Sequence, residues 1–197
     1  MSYAALLKAA ARGDAAEVTR LLETGVPPDI ASPRGGRGRA LHAALAPKGT
    51  KGAGHEACVR ALAKAGADLG YEGQFQSLVP VRLAAAGGYA ELVETLLDLG
   101  APVDRFSAAA IYRRGDAGGL DSEGRSTLCA AAASRMWRVV PADAVLAVRA
   151  LIEDGATVEP LADPRRRPLW WVVAWGRSVE VATLLLDAGA SPGGCLA

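Results

Sequence analysis

The sequence predicts an all-α protein, a solenoid of stacked helix-turn-helix units forming one domain over residues 1–197. Three observations lead to this expectation. Five helical segments end in a glycine preceded by the same apolar triplet. A segment rich in small residues comes before each of them. Hydrophobic residues make up 51% of the chain but aromatic ones only 5%, so alanine supplies much of the apolar mass, as closely spaced helices require.

The helix-ending glycines are Gly25, Gly66, Gly100, Gly155 and Gly189, at intervals of 41, 34, 55 and 34 residues. Two intervals sit near a unit of about 33 residues, and the other two contain insertions. Seven, four and three residues before the glycines stand Val18/Leu21/Leu22, Val59/Leu62/Ala63, Val93/Leu96/Leu97, Val148/Leu151/Ile152 and Ala182/Leu185/Leu186. That spacing is one apolar face of a helix in register with a C-terminal glycine. The first-helix partners, in chain order, are ALLKAAARG from Ala5, ALHAAL from Ala40, PVRLAAAGG from Pro80, TLCAAAAS from Thr127 and PLWWVVAWG from Pro168. The units span approximately 3–32, 38–72, 78–106, 124–160 and 166–197, with insertions at 46–53, 105–120 and 135–142. One helix pair cannot bury its apolar face alone; a stack of pairs can.

ALHAAL at 40–45, GHEACVRALAKAGAD at 54–68, GGYAELVETLLDLGAPVD at 87–104, EGRSTLCAAAA at 123–133 and RPLWWVVAWGRSVEVATLLLDAGA at 167–190 resemble the ankyrin repeat family over nearly the whole chain. The resemblance implies an ankyrin-repeat α-solenoid with projecting hairpin loops, whose hairpins and first helices line a concave binding face. It also implies a local structural role for His42 and His55, both at motif positions.

The composition narrows the function. Net charge is +1, so no whole-molecule field favours nucleic acid or an anionic membrane. No apolar run reaches the ~20 residues of a membrane span. Arg12 and Asp14 interrupt the opening residues, which do not read as a secretion signal, so a cytoplasmic location is expected. The absence of asparagine beside abundant Ala, Gly and Arg points to a GC-rich, bacterial genome. Cys58, Cys129 and Cys195 are odd in number and lack CxxC spacing, which argues against a disulfide framework or a zinc site. With two histidines in all, a triad or a histidine-based metal site is poorly supplied, and neither enzyme activity nor a cofactor is expected. GTKGAG at 49–54 lacks the order of a phosphate-binding loop.

Binding by protein–protein contact is the favoured reading, in an inhibitor, immunity, adaptor or exported-effector role. Candidate partner contacts fall in two groups. Arg34, Arg37 and Arg39, with Arg113 and Arg114, lie in inter-repeat segments and would meet an acidic partner; a polyanion or nucleic acid is the alternative. The second group is Arg135, Trp137 and Arg138 in the 135–142 insertion, with Trp170 and Trp175 in the last repeat. Tryptophan and arginine are enriched at the energetic centres of interfaces. Trp171, with Val172 and Val173, reads instead as an apolar seal on the end of the stack. A monomer is expected, with pairing of two tryptophan-rich ends as the other possibility.

Overall fold

The computed structural model describes residues 3–30, 39–46, 51–71, 79–113, 117–121, 124–159, 163, 167–174 and 178–193. The chain divides into two compact units, Met1–Pro102 and Val103–Ala197. The fold is all-α, and all five expected helix pairs are present.

In the first unit, α1 (Tyr3–Arg12), α3 (Ala40–Leu45) and α5 (Pro80–Gly87) form a row of first helices. Alongside runs a row of second helices, α2 (Ala15–Glu23), α4 (Ala53–Lys64) and α6 (Ala90–Asp98). Alanine makes the close spacing possible: Ala9, Ala10, Ala40, Ala44, Ala84 and Ala85 are fully buried along the first row. Gly54 serves the same end, because a Cβ there would lie 2.5 Å from the Gly13 carbonyl oxygen.

The second unit begins with a helix inside the 105–120 insertion, α7 (Arg105–Ala110), capped by the Asp104 carboxylate, which accepts the Ser107 N–H at 2.7 Å. It packs on α8 (Thr127–Ala133), and α8 packs on α10 (Pro168–Ala174). The second helices of this unit are α9 (Pro141–Glu153) and α11 (Val179–Asp187). Between α7 and α8, Leu120 and Ser126 form an isolated antiparallel β-bridge. The Arg125–Asp121 ion pair at 3.0 Å lies next to the bridge.

Every second helix ends in the same way. Gly25, Gly66, Gly100, Gly155 and Gly189 all have φ between 80° and 91°. Each donates its N–H three residues back, and the next residue donates five residues back, as in Gly100→Leu97 (2.9 Å) and Ala101→Leu96 (2.9 Å). Two otherwise orphaned carbonyls are thereby satisfied. Nothing lies within 4 Å of a Cβ placed on any of these glycines, so the backbone conformation, not space, requires them. The stripe residues at seven and four before the glycine are at most 2% exposed in the first four repeats. In the fifth, Leu185 is fully buried and Ala182 half-buried, while Leu186 is 45% exposed.

Candidate functional site

The arginines before the first helices turn inward. Arg39 occupies the N-cap position of α3 but makes no cap. Its Nη1 lies 3.2 Å from Asp29 Oδ1 and 3.3 Å from Asp68 Oδ2, while its guanidinium sits 3.5 Å from the Tyr71 ring centroid. The Asp29 contact is ion-pair proximity without hydrogen-bond alignment. Tyr71 in turn meets His42 edge-on at 5.5 Å. The other oxygen of Asp29 accepts the Asp68 N–H at 2.9 Å, tying one hairpin to the next.

The same device recurs in the second unit. Arg167, again just before a first helix, pairs with Glu159 at 3.1 Å, and Glu159 accepts the Ser191 N–H at 2.5 Å. Asp29 and Glu159 stand four residues past a cap glycine, and Asp68 and Ser191 two past the next. Arg39, expected at a partner surface, thus pairs with carboxylates between repeats.

The turn joining α8 to α9 is organised differently. Ser134, 2% exposed, donates its hydroxyl to the Ala110 carbonyl at 2.5 Å and accepts the Met136 N–H at 3.2 Å. A 3-10 turn, Met136–Arg138, follows, with Met136 pointing into the core. Tyr112 buttresses this turn from the end of α7. It occupies the place that glycine takes in the other caps, with φ 59°, and Arg113 donates to Ala108 at 2.9 Å just as the residue after each glycine does. A bulky residue at positive φ is strained by ~1–3 kcal/mol and persists only where its surroundings hold it. Here the hydroxyl bonds Ser134 and the Trp137 backbone, and burial pushes its pKa up to about 12.

Trp137 is thereby fixed half-buried, its ring lining a small gap with Val172, Ser178 and Val181. The Arg138 guanidinium lies 5.4 Å from the ring centroid, a cation–π distance. Val139 (49% exposed) flanks the turn, and Val173 (42%) and Val179 (79%) flank the neighbouring α10–α11 connection. An aromatic ring, a cation and exposed valines thus gather at one end of the second unit's helix pairs.

Of the other candidates, Arg113 is exposed after α7 and Arg135 is half-buried before the 3-10 turn. Trp170 is half-buried and meets Trp171 edge-on at 5.3 Å. Arg34, Arg37, Arg114 and Trp175 lie outside the described residues. His55 Nε2 is 3.3 Å from the Ala11 carbonyl oxygen, a structural contact between repeats. Cys58 and Cys129 are buried, and desolvation raises both thiols to about 11, far from a neutral-pH nucleophile. Among the described residues no group of three or more His, Cys, Asp or Glu could hold a metal ion. No helix there is long and apolar enough to cross a membrane. Tyr112 and Ser134 were not among the sequence candidates; the only hint was the small-residue run of RFSAAA, which resembles the other first helices.

Among solved structures, the human ASB11 ankyrin repeat domain is similar to this chain, with 25% identity and a TM-score of 0.51. The match covers 95% of this chain and 85% of that one. The chain has the ankyrin-repeat fold. No protein-family model and no curated protein matches the sequence. Lengthened intervals of 41 and 55 residues put the ankyrin units out of step with a regular period, while each unit keeps its helix pair and cap. An ankyrin array is a scaffold for protein–protein interaction, presenting side chains on preorganised turns.

Proposed function

We propose that the protein is a non-enzymatic binding module that recognises one protein partner, acting as an inhibitor or immunity-type protein. Its contact surface centres on Trp137 and Arg138 and extends over Val139, Val173 and Val179. The observation behind this reading is the investment in the 134–138 turn: a strained Tyr112 and a buried Ser134 hold a half-exposed Trp–Arg pair in place. A loop serving only as a connection needs no such support. Arg113 and Arg135 border the surface and supply charge for an acidic partner.

Polyanion binding is less well supported, because Arg39, Arg125 and Arg167 are each paired with a carboxylate inside the fold. The test is affinity capture from the native host with wild type, Arg138→Glu and Val139→Asp as baits. One stoichiometric protein, captured by wild type and lost by both exposed-site variants, is expected. Equal capture by all three would refute the assigned surface. Capture of nucleic acid, abolished by raising salt, would replace the reading with the polyanion alternative.

A further inference from the structure

We infer that a groove on the second unit, separate from the Trp137 surface, docks a basic amphipathic helix from a partner protein. Helices α8 and α10 are each followed by a second helix that folds back alongside them. Helix α7 is not: after its left-handed cap at Tyr112 the chain runs on to the Leu120–Ser126 bridge. Among the described residues, no helix of this unit occupies the second-row place matched to α7, beside α9.

An open groove of about 720 Å³ lies there. Ala109 and Tyr112, from α7 and its cap, and Leu146 and Ala150, from α9, contribute its apolar lining. Leu146 is 62% exposed, the most exposed leucine among the described residues. It stands one turn from Ala150 on a face of α9 opposite the buried Ala144, Val148 and Leu151. Small residues at this spacing let a second helix approach closely, as alanines do along the rest of the array.

Charge defines the occupant. Asp143 bounds the groove near the start of α9, and Glu153 and Asp154 bound it at the end, against the single cation Arg149. The carboxylates at the C-terminal end add to the negative pole of the helix dipole. Asp143 and Asp154 are separated by about three helical turns, roughly 16 Å at ~1.5 Å per residue. The complementary ligand is therefore a helix with lysine or arginine near both ends of a three-turn stretch and leucine and alanine between them on one face. Charge and shape thus specify a partner segment of that pattern, and not an acidic one.

The experiment uses the full chain and two fluorescent 18-residue helical peptides. One has Lys at both ends of an Ala/Leu face; the other has Glu in place of each Lys. Fluorescence anisotropy is expected to show binding of the lysine peptide only. Leu146→Arg, an exposed substitution, should weaken it at least tenfold. Glu153→Lys combined with Asp154→Lys should weaken the lysine peptide and admit the glutamate peptide. Arg138→Glu should leave the lysine peptide unaffected, so failure here and failure of the Trp137 surface are separable. No binding of the lysine peptide, equal binding of both peptides, or binding insensitive to Leu146→Arg overturns the inference. So does a wild-type dimer in sedimentation that Leu146→Arg converts to monomer, since the occupant would then be a second copy of the chain.

Discussion

Removing the Arg39 guanidinium tests whether the inter-repeat clamp contributes to stability. Arg39 and its two carboxylate partners are partly exposed, with side-chain exposures of 23%, 27% and 53%. Each such pair contributes at most ~1 kcal/mol. The contact with the Tyr71 ring adds ~0.5–1 kcal/mol. Arg39→Ala should therefore cost about 1–2 kcal/mol, measured by equilibrium urea unfolding. Asp29→Asn keeps an acceptor for the Asp68 N–H while removing the charge, and should cost about 0.5–1 kcal/mol. The double variant should be less destabilised than the sum of the two, by ~0.5 kcal/mol or more, because both changes delete one shared contact. Arg39→Lys should fall between wild type and Arg39→Ala, since an ammonium cannot both stack on Tyr71 and reach two carboxylates. Arg138→Ala, an exposed control, should stay within ~0.5 kcal/mol of wild type. Strict additivity of Arg39→Ala and Asp29→Asn, or an Arg39→Ala cost no larger than that of the control, would refute the clamp.

Three further outcomes are expected. Gly100→Ala should cost ~1–2 kcal/mol and Gly100→Asn less, because the penalty is that of positive φ alone; equal costs in urea unfolding would contradict this. Leu185→Ala should cost ~2–5 kcal/mol and its neighbour Leu186→Ala under ~1 kcal/mol, separating the buried from the exposed side of the last stripe. Alkaline pH should destabilise the fold. Cys58, Cys129 and Tyr112 have folded pKa values raised to about 11, 11 and 12 by burial. Their contribution is complete below the unfolded values, ~8.5 for a thiol and ~10 for a phenol, and is lost as pH rises through the folded ones. A plot of urea midpoint against pH should fall from about pH 9 to 12, and Cys58→Ala with Cys129→Ala should flatten its first part.

The repeat was legible because two local rules coincide five times: an apolar stripe at helical spacing, and a glycine that satisfies the cap behind it. Both act within a few residues, so sequence spacing suffices to read them. Helix α7 escaped the same reading because it has the small residues of a first helix but no second helix and no glycine. Tyr112 fills the cap instead, at a cost that only its distant partners Ser134 and Trp137 justify. The pairing of Arg39 escaped the sequence for a similar reason. An arginine in a glycine-rich segment looks free until Asp29 and Asp68, ten residues before it and twenty-nine after it, are brought beside it. Trp137 and Arg138 were recognisable by residue type, but the exposed valines that join them come from two different connections.

The five glycine caps also provide a built-in gauge of local stability. The residue after each glycine, Val26, Ala67, Ala101, Ala156 or Ala190, is at most 7% exposed, and its amide is bonded back to the helix it terminates. Such an amide exchanges its proton with solvent only when that cap opens. Because the five have the same geometry, their exchange rates are directly comparable, each reporting the opening free energy of its own repeat. Ala190, in the repeat that leaves Leu186 exposed, should exchange fastest of the four alanine amides. The array thus carries one equivalent probe per repeat, without any label.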